Sequence, residues 1–317
     1  MTIKENISLL PYNTFGIDVK ARLFIEYYSL DELRQVLKEH KGERILHIGQ
    51  GSNLLFTKDF DGIILHSGMA RARFIDDETV EAQNGLRLDD LIAQLTDMAY
   101  CGMEKLSLIP GEVGASAVQN VGAYGVEAKD VILRVNMIDV GSLEERVFSN
   151  EECRFGYRDS IFKHELKGKY IVTSVVYKVR PGEASETREE IIRTRMAKLP
   201  AVGETGSAGS FFMNPFVPEE QANALLEKYP DMPHFEAPSP WGRVGERLVK
   251  IPAAWLIEQC GWKGRCLGGA QVWPKQPLVI VNADNATPED IMALAAAVSQ
   301  SVKDKFNIDI HPEVNYI

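Results

Sequence analysis

The most constraining feature of this sequence is a glycine-rich stretch that runs from Leu108 to Gly125 and contains a single charged residue, Glu112. Its glycines are Gly111, Gly114, Gly122 and Gly125. Backbone without a Cβ can approach a phosphate closely and donate N–H groups to it. Small residues also allow tight packing, so a core crossing is the alternative. Ser116, Gln119 and Asn120 favour a ligand, because buried polar side chains need partners.

A second glycine-rich turn, Gly49-Gln50-Gly51-Ser52-Asn53-Leu54, follows a predicted strand over 44–48. It ends in leucine where the dinucleotide-binding fingerprint has its third glycine, and no acidic ribose partner stands at a convincing distance. As a Rossmann fingerprint the turn is therefore weak. A plain turn and a phosphate contact both remain open from the residues alone.

Hydrophobic spacing predicts helices mixed with strands along the chain. The capping pattern Ser29–Glu32 begins one helix between strands, which predicts a small βαβ unit ending in a strand over 62–66. A second helix carries Leu88, Leu91, Ile92 and Leu95 on one face. Strands over 131–140, 170–179 and 278–281, helices over 187–198 and 253–257, and a final helix capped by Thr287 complete the prediction.

Length and composition limit the class of protein. A chain of 317 residues suggests two or three domains. A formal net charge of −10 argues against broad adhesion to nucleic acid or anionic lipid. We find no apolar run long enough for a bilayer and no signal-peptide pattern, so no membrane partner is expected. The four cysteines are scattered and the histidines lack ligand spacing, so no metal site is predicted.

Several motifs, in order along nearly the whole chain, resemble those of the enolpyruvoyl reductase family, which belongs to the p-cresol-methylhydroxylase-type flavoproteins. The glycine-rich ones are Gly49-x-Gly51-Ser52-Asn53-Leu54-Leu55, Ile109-Pro110-Gly111-x-Val113-Gly114 and Gln119-Asn120-x-Gly122-Ala123-Tyr124-Gly125. The others lie at 13–18, 155–163, 208–215 and 311–314. Their shared order makes the resemblance specific to the family rather than to the fold.

The resemblance implies an α+β protein with an FAD-binding p-cresol-methylhydroxylase-type fold of two subdomains and a C-terminal α+β substrate-binding domain. The expected bounds are 1–66 joined by 312–317, then 67–198, then 199–311. FAD and NADPH are the implied cofactors, and UDP-N-acetylenolpyruvoylglucosamine is the implied substrate. Its enolpyruvyl ether would be reduced to UDP-N-acetylmuramate in cell-wall precursor synthesis. A cytoplasmic monomer without nucleic-acid or membrane partners is expected.

The resemblance carries the family's cofactor contacts onto the two glycine-rich segments and one helix residue. These contacts are Gly49, Gln50, Gly51, Ser52, Asn53, Leu54, Ile109, Pro110, Gly111, Gly114, Ala115, Ser116, Gln119, Asn120, Gly122, Ala123 and Arg195. Gln50 stands where glycine is frequent, a mild departure because its amide can still point at phosphate.

Three residues match the family's catalytic positions. Hydride addition to an enolpyruvyl group leaves enolate character, so the site must hold negative charge and deliver a proton. Ser210 matches the proton donor, Arg158 the arginine that would hold the charge, and Glu313 the glutamate that would polarise or relay a proton. Without the resemblance they would be a turn serine, an ion pair with Asp159 and a surface charge.

Substrate contacts are implied for Tyr124, Lys198, Asn214 and Gln276. Lys198 would meet the diphosphate as a point cation, and Arg195 one helical turn earlier could reinforce it. Solvated helix charges are the alternative for both. One departure concerns a lid: many relatives have an insertion with a tyrosine between the strand ending near 179 and the helix before Lys198, and here 180–185 leads almost directly into that helix. Either the chain lacks this lid, as one subgroup of the family does, or a mobile segment is absent from this sequence, so no lid residue is assigned.

Two other functions fit parts of these observations. An oxygen-using sugar or alcohol oxidase of the same fold is one, although no histidine in 109–125 offers a covalent flavin link. A non-catalytic nucleotide-binding module is the other. Flavin absorption and substrate-dependent NADPH consumption would separate the three.

Overall fold

The computed structural model of the chain describes residues 1–201, 203, 205–237 and 247–317. Within them, strands β1 to β22 span Thr2–Ser8, Lys20–Tyr27, Ile45–Ile48, Leu54–Leu55, Phe60–Ser67, Ala72–Asp76, Thr79–Gln83, Tyr100–Cys101, Gly122–Ala123, Val126–Glu127, Ile132–Asp139, Glu145–Ser149, Tyr170–Lys178, Arg180–Pro181, Gly206–Ser210, Phe216–Pro218, Phe235–Ala237, Leu248–Lys250, Cys266–Leu267, Ala270–Val272, Val279–Asn282 and Asn315–Tyr316. Helices α1 to α7 span Leu30–Glu39, Leu88–Asp97, Val113–Gln119, Ser185–Lys198, Glu219–Lys228, Ala253–Gln259 and Pro288–Phe306. The α+β prediction is confirmed.

The chain forms two compact units. Unit 1 comprises Met1–Leu9, Val19–Gly51 and Asp59–Arg195, and unit 2 comprises Leu10–Asp18, Ser52–Lys58 and Met196–Ile317. The division into three domains at 66, 198 and 311 stays a prediction.

The first sheet of unit 1 has the strand order β1-β2-β5-β3. β2 and β3 both run parallel to β5, and α1 connects β2 to β3. The predicted βαβ unit is therefore present with a third parallel strand inserted at its centre. Because carboxyl ends of parallel strands share one edge of a sheet, the turn that begins at Gly49, directly after β3, lies at the edge where β2 and β5 also end.

Helix α1 begins where its cap predicts. The Ser29 hydroxyl accepts from the Glu32 backbone N–H at 3.2 Å. The Glu32 carboxylate accepts from the Tyr28 N–H instead of that of Ser29, so only one half of the predicted capping box is formed. The buried face of α1 packs on the first sheet.

The second sheet of unit 1, β12-β11-β13-β7-β6, is antiparallel throughout. Its central strands β11 and β13 are the two predicted over 131–140 and 170–179. The predicted apolar face of α2 is buried and shares a core with α3 and this sheet. Helix α3 is thus fixed by its own apolar side, through Val113 and Ala117.

Unit 2 holds the sheets β15-β21-β20-β19, β16-β18-β17 and β22-β4. Helix α7 begins at Pro288 with the predicted Thr287 cap, which forms a reciprocal capping box with Asp290. Its buried residues include the whole predicted face, namely Ile291, Leu294, Ala295, Val298 and Val302. This helix supports the sheet that carries the candidate proton donor.

Two further observations limit function. No helix of the described residues is both long enough and apolar enough to cross a membrane. Between β13 and α4 the chain forms β14, which pairs with β8, and α4 then begins at Ser185. In this described stretch no separate segment stands where the family's lid insertion would begin.

Candidate active site

The two glycine-rich segments meet in unit 1. The backbone N–H of Gly111 donates to the Gln50 side-chain oxygen at 2.8 Å. A Cβ on Gly49 would lie 3.0 Å from Oε2 of Glu112, so that carboxylate lies directly against the first loop. The sequence predicted each loop separately, and the structure joins Gly49–Gly51 to the segment that opens α3.

The first turn of α3 contains three small residues in a row, Gly114, Ala115 and Ser116. Ala115 is exposed, whereas Gly114 and Ser116 on either side are buried. A Cβ on Gly114 would lie 2.9 Å from Cβ of Asn84, which accounts for glycine there by packing. The small side chain of the exposed Ala115 leaves room at the start of α3 for the close approach that a dinucleotide cofactor requires.

Two of the polar residues that suggested a ligand are satisfied by the protein. The Ser116 hydroxyl donates to the Val113 carbonyl oxygen at 2.7 Å and lies 3.0 Å from the Tyr177 hydroxyl. The Asn120 side chain donates to the Gly156 carbonyl oxygen at 2.7 Å and accepts from the Lys129 N–H at 2.9 Å. Their burial therefore does not demand a ligand, contrary to the sequence argument, and contact of this segment with a cofactor stays a prediction.

The side chain of Arg195, unlike those of Ser116 and Asn120, has a buried hydrogen-bond donor that the described residues leave without an acceptor. Its Nε is buried and has no hydrogen-bond partner among the described atoms. Burial lowers the pKa of Arg195, opposed by the nearby Tyr124 hydroxyl, to which it hydrogen-bonds, and by Asp89. A buried guanidinium nitrogen without an acceptor is costly, so this donor fits an acceptor atom supplied by a bound group. The residues of unit 1 thus fit a flavin nucleotide.

Arg158 is held against the hairpin β9–β10. Its guanidinium donates to the Gly122 carbonyl oxygen and lies 3.5 Å from Glu127 Oε1. Its φ of 54° places the backbone in the left-handed region, as does the φ of 52° at Tyr124 in the turn of that hairpin. Asp159 pairs with His164, so the alternative of an Arg158–Asp159 ion pair is wrong.

Ser210 ends β15 in unit 2 and is exposed. The next residue, Phe211, is fully buried; its N–H donates to the Leu278 carbonyl oxygen at 2.6 Å, and its own carbonyl accepts from the Glu313 N–H at 2.7 Å. The structure therefore brings the Ser210 strand and the backbone of Glu313 together.

The end of the first glycine-rich turn, Asn53-Leu54, also contacts the segment that carries Glu313. The Asn53 side chain donates to the Glu313 carbonyl oxygen at 3.3 Å, and the Asn315 N–H donates to the Asn53 carbonyl oxygen at 3.0 Å. Leu54 pairs in parallel with Asn315. Ser52, Asn53 and Leu54 thus belong to unit 2, beside the glutamate.

The predicted substrate residues of unit 2 are anchored near this strand or at α6. Gln276 accepts from the Leu278 N–H through its side chain at 3.4 Å. The Lys198 carbonyl oxygen accepts from the Trp273 indole N–H at 3.0 Å. The Asn214 side-chain oxygen accepts from the Ala253 N–H at 2.9 Å, at the start of α6. Their contacts with substrate stay predictions.

Sequence reasoning missed three residues at the glycine loops: His66, Glu112 and Glu127. The signal for Glu112 was present, since it is the one charged residue of its segment. His66 and Glu127 gave no such signal, because a single histidine in a strand and a single acid in a turn are common.

Comparison with known proteins gives the family. Residues 21–142 match the FAD binding domain, and residues 201–317 match the C-terminal domain of UDP-N-acetylenolpyruvoylglucosamine reductase. The UDP-N-acetylenolpyruvoylglucosamine reductase of Bacteroides fragilis strain YCH46 is 46% identical over 340 aligned positions, covering 99% of this chain and 100% of that protein. The reductase of Flavobacterium johnsoniae is 39% identical over 344 positions and covers 100% of both.

Both alignments are longer than the 317-residue chain. In the alignment with the Bacteroides fragilis reductase, at least 23 of the 340 positions therefore have no residue of this chain. The crystal structure of the reductase from Thermus caldophilus has the same fold, with a TM-score of 0.73, 22% identity and 99% of each chain covered. The chain belongs to the UDP-N-acetylenolpyruvoylglucosamine reductase family, with an FAD-binding domain followed by that family's C-terminal domain.

Proposed function

We propose that Ser210, Arg158 and Glu313 are the catalytic residues with which this chain reduces the enolpyruvyl ether of UDP-N-acetylenolpyruvoylglucosamine. As a member of its family the chain is a UDP-N-acetylmuramate dehydrogenase, an FAD- and NADPH-dependent oxidoreductase of peptidoglycan precursor synthesis. The observation that supports the residue roles is the exposed Ser210, fixed beside the Glu313 backbone.

When bound, FAD would supply to the methylene carbon of the enolpyruvyl group a hydride that it had received from NADPH. The neighbouring carbon then bears a lone pair and needs one proton. The Ser210 hydroxyl provides that proton, which a hydroxyl can do only to a strongly basic centre. Hydride and proton together saturate the double bond, and solvent returns a proton to the serine oxygen.

Arg158 acts on the negative charge of the same intermediate. An enolate next to a carboxylate spreads charge over the carboxylate oxygens, and a guanidinium matches that planar group. The Gly122 carbonyl and Glu127 hold the guanidinium in one orientation, so little rearrangement is needed at the moment of reaction. Glu313 polarises the reacting group or relays the proton that restores Ser210.

Unit 1 residues bind the cofactor in this proposal. Gly51 and Gly111, both with positive φ, would let the backbone approach the diphosphate of the cofactor, and the buried Nε of Arg195 would donate to one of its acceptor atoms. Lys198 meets the diphosphate of the substrate.

The cellular location is part of the same proposal. All four cysteines are free thiols, which together with the UDP-sugar substrate supports a cytoplasmic location.

A two-step rapid-mixing experiment tests the function. Under anaerobic conditions NADPH should bleach the flavin absorption of the purified protein, and the enolpyruvyl substrate should then restore it and yield UDP-N-acetylmuramate. An oxidase would be reoxidised by oxygen and not by this substrate. A protein that takes up no flavin would be a binding module, and either result would contradict the proposal.

A further inference from the structure

A histidine lies between two carboxylates where the glycine loops meet the first sheet. His66 in β5 has its Nδ1 3.0 Å from Glu26 Oε1 and its Nε2 3.0 Å from Glu112 Oε1. The side chains of His66 and Glu112 are largely buried, at 16% and 6% exposure. Glu26 pairs with His66 across the parallel strands β2 and β5, whereas Glu112 comes from the loop before α3.

These two contacts fix the number of protons. A carboxylate oxygen and an imidazole nitrogen repel each other unless a proton lies between them, because each carries a lone pair. One neutral imidazole and two carboxylates hold one proton, enough for one contact. The geometry therefore requires a second proton, shared between His66 and Glu112 or held as the imidazolium.

The groups around His66 and Glu112 favour the state in which the second proton is bound. Burial alone would lower the pKa of His66, but hydrogen bonds and the charges of Glu112 and Glu26 outweigh it and raise this pKa above its ordinary value. Burial raises the pKa of Glu112, against the opposing effect of His66. Other titratable groups that face this cluster are His47 in β3, Lys4 in β1, and Tyr27 and Tyr28 in and after β2.

Glu112 connects this cluster to both loops. It is the residue before the first turn of α3 and lies between Gly111, which hydrogen-bonds to Gln50, and Val113. Its carboxylate also lies against Gly49, where any Cβ would come within 3.0 Å of Oε2. If the second proton were lost, the carboxylate would be repelled from His66 while still confined by Gly49, and the two loops could not both keep their positions.

We propose that His66 and Glu112 are positioning residues for FAD, and that the proton they share holds the Gly49–Gly51 and Gly111–Gly114 loops in the arrangement that binds it. The proposal rests on the proposed function only in assigning FAD to these loops. Affinity for FAD is then full while the second proton is bound and falls as the pH rises above the range in which it is lost. By linkage, FAD binding makes that proton harder to remove.

The test measures the Kd of FAD for deflavinated protein by quenching of flavin fluorescence from pH 6.5 to pH 9. For the wild type we expect Kd to increase at least about fivefold across this range, since one linked proton can change affinity by up to about tenfold per pH unit. Glu112→Gln is the informative variant. Its amide N–H can donate to the neutral imidazole, so the contact survives without the second proton and Kd should change less than about twofold, binding FAD more tightly than wild type at pH 9.

His66→Asn removes the titrating ring and should also flatten the profile, at weaker affinity. His40→Gln, which changes a partly buried histidine paired with Glu43 and away from the glycine loops, should follow the wild type. A flat wild-type profile, or a Glu112→Gln profile as steep as that of the wild type, would overturn the proposal even if His66→Asn does not fold. Failure of the wild type to bind FAD at any pH would instead contradict the proposed function.

Discussion

The backbone N–H of Glu313 donates to the carbonyl oxygen of Phe211 at 2.7 Å, one residue after Ser210. The pairing continues with a bridge between Phe212 and Pro312, so the C-terminal segment runs antiparallel beside the end of β15. Because Phe211 and Phe212 are buried, this register is set by the core of unit 2. The proposed proton donor and the proposed glutamate are therefore held on two segments that move together.

Ser210→Ala should separate the two halves of the reaction. Reduction of the flavin by NADPH should be unchanged, whereas reoxidation by the enolpyruvyl substrate should slow by about 10²–10⁴-fold, the usual contribution of a positioned proton donor. Stopped-flow flavin absorbance measures both. Ser207→Ala, three residues earlier in the same strand, is the control and should behave as wild type. Normal substrate reduction in Ser210→Ala would remove the proton-donor assignment.

Arg158→Lys keeps the charge and loses the planar fork. We expect substrate-dependent reoxidation of the flavin to slow by about 10²–10³-fold, as when one donor to a developing anion is removed. Arg154→Lys is a matched control, because Arg154 also has a positive φ but is exposed and pairs with Glu165. Equal rates for the two variants would mean that Arg158 acts only as a structural residue.

Arg195→Gln should weaken the flavin site. The substitution removes a buried donor that lacks an acceptor among the described residues, so Kd for FAD should increase about tenfold or more while the folded protein loses little stability. Arg193→Gln changes an exposed charge on the same helix and should leave Kd unchanged. If both variants bind FAD like the wild type, the Arg195 Nε does not donate to FAD.

How far the sequence predicts this molecule depends on whether a feature is local. Helix α2 follows from apolar spacing, and α7 from apolar spacing and its Thr287 cap, because these signals lie within one segment of chain. The insertion of β5 between β2 and β3 could not be predicted, since strand order is set by packing between distant segments. The contact between His66 and Glu112 could not be predicted for the same reason, because the two residues are 46 positions apart in the sequence. The motifs placed the candidate site, and the contacts that hold it came from the structure.

Asn84 is a buried residue of unit 1 whose side chain hydrogen-bonds to three other residues, so its replacement should reduce stability. It is 2% exposed, donates to the Tyr27 hydroxyl and the Val172 carbonyl oxygen, and accepts from the Ser67 hydroxyl. Asn84→Ala leaves these groups without their partner and should lower the free energy of unfolding by about 2–4 kcal/mol. Urea denaturation measures this change. Asn223→Ala, at an exposed position of α5, should change stability by less than about 0.5 kcal/mol, and an equally small effect at Asn84 would contradict the argument.

His47 should make the folded protein less stable in acid. Burial, with the charge of His66 acting in the same direction, lowers the pKa of His47 to about 3, and its Nε2 lies 2.9 Å from the Tyr27 hydroxyl. In the unfolded chain a histidine has a pKa of about 6.5. Between these values the unfolded state binds the extra proton, so the free energy of unfolding falls as the pH decreases, by up to about 1.4 kcal/mol per pH unit.

His66, whose pKa is raised, changes the stability with pH in the opposite direction, so the test compares the wild type with a His47 variant. From pH 6.5 to pH 5 the stability of the wild type should fall by about 1–2 kcal/mol relative to His47→Gln, measured by urea denaturation at each pH. His40→Gln, at a histidine paired with Glu43, should keep the wild-type slope. A difference between wild type and His47→Gln that does not change with pH would show that His47 takes up its proton equally in the folded and the unfolded state, and would contradict the lowered pKa.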